Sequence, residues 1–254
     1  MPDTEKMARQ DIRMTKPLTV LKSIGPKLVP FFKTVAIFFV LFGQEEKEYS
    51  YSKVFCCIAK ILPIISLILF VFLHGMNLTE YYRYSRRILI GLIFSCLGDI
   101  FLVWKETYFE AGILMFAVAQ ICYARAFGWK PFNPYALAVF TAVGAATYSI
   151  LSPSLNGILT YLVAIYITLI CIMGWRAVAR VRFFDDLVTW TKLCGCAGSI
   201  LFMISDITIA INKFVMPLPF HHQIIMLTYY AAQLGITLSV VDSQVDVILQ
   251  PNLE

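Results

Sequence analysis

Charge is what this chain has least of. Asp, Glu, Lys and Arg make up 15% of the 254 residues, while 59% are hydrophobic and the mean hydropathy is +0.74. Soluble domains carry about 25% charged residues. So little polar surface cannot cover a water-facing globule, and lipid must be the solvent for much of the chain. Histidine is scarcer still, with only His74, His221 and His222. Residues 1–17 are polar and charged and contain no apolar h-region, so no cleavable signal peptide is expected and the first span should act as the insertion signal. A Gly-rich phosphate loop and a serine-hydrolase nucleophile elbow are both missing. There is also no basic-aromatic patch of the kind that binds nucleic acid. Cysteine is present seven times, at Cys56, Cys57, Cys96, Cys122, Cys171, Cys194 and Cys196, always within an apolar run. A thiol there behaves as a small hydrophobe. Cys194-x-Cys196 lacks the second ligand pair of a structural zinc site, so packing is the expected role.

What remains is apolar sequence in membrane-length runs. They cover 28–42, 54–73, 88–104, 108–127, 134–151, 156–175, 193–211 and 224–241. The connectors are short. The expected fold is an all-α, eight-transmembrane-helix bundle over residues 28–241. A polar basic tail over 1–27 and a short tail over 242–254 flank it.

Lys and Arg distribution orients the bundle. Every second connector, counted from the N-terminal tail, holds Lys6, Arg9, Arg13, Lys16, Lys22 and Lys27; Arg83, Arg86 and Arg87; Arg125 and Lys130; and Arg176, Arg180, Arg182 and Lys192. The opposite side holds Lys47, Lys53, Lys105 and Lys213. This bias places both termini in the cytosol and accounts for the net charge of +5. The sequon Asn77-Leu78-Thr79 then lies on the cytosolic side and is expected to stay unmodified.

Charges at membrane depth cost roughly 2.5–3.5 kcal/mol each on insertion scales, so each one needs a reason. Lys33, Glu110 and Arg125 lie near span ends, within snorkelling reach. Lys60 is deeper, just before Pro63, and either snorkels or belongs to a site. Asp99 and Asp206 are different, because a short carboxylate cannot snorkel. Asp99 is the twelfth residue of its 17-residue run and Asp206 the fourteenth of its 19. Each follows a small residue, Gly98 or Ser205, that permits close helix approach. The third and seventh spans run in the same direction, so the two carboxylates should lie at similar depth.

A weak repeat agrees with that placement. Each Asp helix is followed by a helix with a Met…Gln pattern, Met115 to Gln120 and Met226 to Gln233, as in a parallel four-plus-four duplication. Around the aspartates, polar side chains suggest a pocket. Lys213 is seven residues beyond Asp206, on the same helical face. Tyr229, Tyr230 and Gln233 share a broad face of the last span, and Gln120 and Tyr123 lie one turn apart on the fourth. Interhelical hydrogen bonding and an aromatic belt would account equally for the tyrosines.

Two carboxyl groups in a low-dielectric pocket do not both ionise easily, so one keeps its proton. That division suits acid–base cleavage of an acid-labile ether or acetal. It also suits proton- or cation-coupled transport of a small molecule. A metal-dependent hydrolase with histidine ligands does not fit, because His74 falls on the opposite side from His221 and His222.

Several stretches resemble a known family. They are Gly25-Pro26-Lys27-Leu28-Val29-Pro30-Phe31-Phe32-Lys33, Gly98-Asp99, Phe116-Ala117-Val118-Ala119, Ala126-Phe127-Gly128, Met173-Gly174-Trp175-Arg176-Ala177 and Ser205-Asp206-Ile207-Thr208-Ile209-Ala210-Ile211-Asn212-Lys213-Phe214. The chain resembles the lysoplasmalogenase, or YhhN-like, family, and within it the A branch of the vertebrate transmembrane-86 group. The resemblance runs from about Val20 to Ser243. It implies an eight-helix enzyme of the endoplasmic reticulum membrane. Such an enzyme hydrolyses the vinyl ether bond of lysoplasmalogens to a fatty aldehyde and glycerophosphoethanolamine or glycerophosphocholine, without a cofactor. The family's two intramembrane acids match Asp99 and Asp206, and Lys60-x-x-Pro63 departs in spacing from its early Lys-Pro element. The implied partner is a lysophospholipid entering from the surrounding membrane lipids. Lys213, with its polar neighbour Asn212, is then the candidate for its phosphate.

Overall fold

The computed structural model describes residues 17–43, 51–74, 82–181 and 190–241. The sequon at Asn77 lies outside these residues. Among the described residues there are eight α-helices, one 3-10 turn and no strand. The helices are α1 (Pro17–Phe42), α2 (Lys53–Leu73), α3 (Arg83–Val103), α4 (Lys105–Phe127), α5 (Pro134–Leu151), α6 (Ile158–Ala179), α7 (Trp190–Phe214) and α8 (His221–Leu238). The turn Ser152–Ser154 extends α5. Six helices (α1, α2, α4, α5, α6 and α7) are long and apolar enough to cross a membrane. The other two dilute their apolar content with charged and polar groups: Arg83, Arg86, Arg87 and Asp99 in α3, and His221, His222, Gln223 and Gln233 in α8.

Most helices run a few residues past the apolar stretch that marks them, because polar residues in the headgroup zone end hydropathy without ending the helix. The largest extension is α1, which begins at Pro17 rather than at residue 28. Proline suits a first turn, where its missing N–H has no intrahelical partner anyway. Helix α5 starts equally legibly, with Asn133 accepting from the Ala136 N–H at 3.1 Å and Pro134 at the first position.

Contacts at the two ends show that successive helices alternate in direction. At one end Lys27 Nζ donates to the Leu73 carbonyl at 3.2 Å, Arg87 to the Arg125 carbonyl at 2.6 Å, and Tyr84 bonds Ser239 at 2.6 Å. Arg176, fully buried, donates there to the Gly128 and Pro131 carbonyls. At the other end Lys53 pairs with Glu106 at 3.1 Å, and Gln223 donates to the Gly43 carbonyl at 2.6 Å. The arginines therefore gather at one end, as the loop bias requires.

The closest packing joins α3 to α4 and α7 to α8. In the second pair Gly198 and Gly235 face each other. A Cβ on Gly198 would lie 2.7 Å from the Ala232 carbonyl oxygen, and one on Gly235 would lie 2.7 Å from that of Cys194. Only glycine allows this backbone approach. The centre of the bundle is aromatic. Phe116, Phe202 and Tyr229 meet edge to face, with centroids 5.6–6.1 Å apart.

Candidate active site

Asp99 lies on α3 and is 2% exposed. The preceding Gly98 is required here, because a Cβ would come within 2.6 Å of the Phe116 ring and push it off α3. Two helices compensate the buried charge. Tyr229 of α8 donates its hydroxyl to Asp99 Oδ2 at 2.5 Å, and Lys60 Nζ of α2 lies 3.4 Å from Oδ1. Lys60 therefore turns inward to an ion pair instead of snorkelling. Its backbone carbonyl accepts the Tyr230 hydroxyl at 2.9 Å. Two of the polar residues singled out by the sequence, Lys60 and Tyr229, thus converge on Asp99, and a third, Tyr230, holds the Lys60 backbone.

Asp206 of α7 has different surroundings. It stands on the wall of an apolar cleft between α4, α5, α6 and α7. Phe109 and Phe116 of α4, Val143 of α5, Ile170 of α6 and Met203 and Phe214 of α7 supply most of its character. The Tyr166 hydroxyl donates to Asp206 Oδ2. Asp206 has no ion-pair partner among the described residues, and no other ionisable carboxylate lines the cleft. Tyr166 carries no sequence signal, because a tyrosine in the middle of an apolar run has the same spacing as any core aromatic.

The two carboxylates are close enough for their charges to interact. They do not share a hydrogen-bond partner. Phe116, packed on Gly98 and edge-on to Tyr229, forms part of the partition between them. Behind it runs a second polar group. The Tyr123 hydroxyl donates to Gln233 Oε1 at 2.9 Å and lies 3.2 Å from Ser95 Oγ. Gln120, also fully buried, lies beside Tyr166. The residues expected at the phosphate separate. Lys213 is exposed at the end of α7, with its ammonium 4.1 Å from the centroid of Phe109, a ring that lines the cleft. Asn212 instead closes the α7–α8 turn, its Oδ1 accepting from the Leu218 N–H at 2.9 Å. Among the described residues no three His, Cys, Asp or Glu side chains cluster as metal ligands would.

A family model describing the YhhN family matches residues 55–240, which include both aspartates, Lys60, Tyr166 and the whole cleft. The chain belongs to the YhhN family. A Homo sapiens relative named Lysoplasmalogenase TMEM86A is 44% identical over 91% of this chain and 95% of its own length. A Sus scrofa relative named Lysoplasmalogenase TMEM86B is 33% identical over 87% of this chain and 88% of its own length. The identity is thus higher to the A protein. No solved structure matches the chain. Within this YhhN fold the apolar cleft, the buried Asp99 and the partly buried Asp206 occupy the matched region together.

Proposed function

We propose that this YhhN-family chain is a lysoplasmalogenase that cleaves the vinyl ether of a single-chain lysophospholipid at Asp206. The observation that carries this reading is a carboxyl group without a cation, bonded by Tyr166, on the wall of an otherwise apolar cleft. The names of the relatives supply the substrate class. Lys213 fits the phosphate, because it lies beside Phe109 at the cleft mouth and two turns, about 10 Å, from Asp206 along α7. The alkenyl chain then lies against Phe116, Ile170 and Met203.

The chemistry follows from charge placement. Asp206 in its acid form protonates the β-carbon of the vinyl ether, using the π electrons, and the α-carbon becomes an oxocarbenium ion. Asp99, ion-paired with Lys60, turns the carboxylate end of that pair's dipole into the core close by. Water adds at the α-carbon and gives a proton to the Asp206 carboxylate. The hemiacetal then collapses to the fatty aldehyde, and the glycerol oxygen leaves with a proton. Such acid–base assistance contributes about 10²- to 10⁴-fold. Within this reading all eight helices cross the endoplasmic reticulum membrane, α3–α4 and α7–α8 being corresponding hairpins of a four-plus-four repeat. The arginine-rich end and both termini face the cytosol. Purified protein given lysoplasmalogen should release one aldehyde per glycerophospholipid headgroup product. Intact substrate after prolonged incubation would contradict the assignment.

A further inference from the structure

Gln120 is 0% exposed, and apart from the Tyr166 hydroxyl beside its amide, neither its Nε2 nor its Oε1 has a well-aligned hydrogen-bond partner among the described residues. An amide buried in this way costs about 1–3 kcal/mol unless something satisfies it. Its position is specific. Gln120 is four residues after Phe116 on α4, hence on the same face one turn deeper than a ring that lines the cleft. Its amide lies beside the Tyr166 hydroxyl, which is itself bonded to Asp206. Tyr166 and Asp206 on the cleft wall, with Gln120 beside Tyr166, therefore bring two donors and three acceptors together. A buried water typically takes about three hydrogen bonds, and this set can provide them.

We propose that Gln120 holds and aims the hydrolytic water. The inference rests on the vinyl ether reading above, and it adds the source and orientation of the nucleophile. Gln120 Oε1 accepts one water hydrogen while the Asp206 carboxylate, having delivered its proton to carbon, accepts the other as the new C–O bond forms. One carboxyl group can serve both steps because the β- and α-carbons are adjacent. Gln120 thus touches the reacting water and does not contact the substrate chain.

The test uses full-length wild-type protein, Gln120→Met and Gln120→Asn, with aldehyde release from lysoplasmalogen followed in single turnover in H₂O and in D₂O. Methionine matches the volume and removes an unsatisfied amide, so the melting temperature should hold or rise. The turnover rate should fall about 10²-fold, the scale of losing one oriented polar group at a reaction centre. KM should stay close to wild type, and asparagine should retain more activity than methionine. The isotope effect separates mechanism from damage. In the proposed mechanism proton transfer to carbon should limit the wild type and give a large normal effect. With water capture slowed in Gln120→Met, that effect should collapse toward unity. A slow variant that keeps the wild-type isotope effect, a variant as fast as wild type, or one that melts earlier or fails to fold would each overturn the proposal. Wild-type protein that releases no aldehyde would instead overturn the vinyl ether reading.

Discussion

At Asp99 the carboxylate faces the Lys60 ammonium at 3.4 Å and the Tyr229 hydroxyl at 2.5 Å, whereas Asp206 has Tyr166 and an apolar wall. The same near-isosteric change therefore has two consequences. Asp206→Asn should reduce aldehyde release by about 10²-fold or more while the protein melts as wild type does. Asp99→Asn leaves Lys60 without its partner and should cost about 3 kcal/mol as well as activity. Calorimetry of Asp99→Asn beside the double variant Asp99→Asn/Lys60→Met tests this. The double variant should regain most of the lost stability, and additive losses would deny that the pair is energetically coupled. Both aspartates were legible in the sequence, because a short acidic side chain has no route to water from mid-span. Tyr166 was not, since tyrosine at that spacing is compatible with any packed helix. Lys60 was legible as an anomaly but not in direction, which depends on α2 facing α3 and α8. Asn212 illustrates the converse. Its place next to Lys213 suggested ligand binding, and its bond to Leu218 shows turn closure.

The helices themselves were readable from hydropathy because each carries a long apolar run, and six are long and apolar enough to cross a membrane. Their ends were less so, as α1 shows by continuing back to Pro17 through polar sequence. The partner choices of helices depend on small-residue contacts that hydropathy does not record. Gly198 and Gly235 set the α7–α8 approach, with backbone oxygens 2.7 Å from each ideal Cβ. Backbone cannot yield as a flexible side chain can, so Gly198→Ala should destabilise by about 1–3 kcal/mol. Gly25→Ala in α1, where nothing lies within 4 Å, is the matched control and should be neutral. Thermal melts in detergent decide this, and equal melting temperatures for the two variants would show that α7 and α8 do not pack as described.

For the whole molecule, the proposed orientation rests on the arginines that gather at one end of the bundle, where Arg87, Arg176 and Arg180 are tied to Arg125, Gly128 and Tyr84. With that end in the cytosol, Asn77 stays unmodified. A glycosylation sequon engineered into a lengthened 43–53 connector should be modified. A glycosidase-sensitive shift at Asn77 would reverse the orientation. The proposed orientation would put Lys213, at the other end of α7 from the arginines, on the non-cytosolic side.

The central claim is that protonation at the β-carbon by Asp206 makes the α-carbon the electrophile. Turnover of lysoplasmalogen in ¹⁸O-water tests it most directly, read in the glycerophosphoethanolamine product, whose hydroxyls do not exchange with solvent. Water adding at the α-carbon leaves the original oxygen on glycerol, so the product should be unlabelled. Label in its glycerol hydroxyl would mean displacement at the glycerol carbon and would contradict the oxocarbenium route and the role of Asp206 within it.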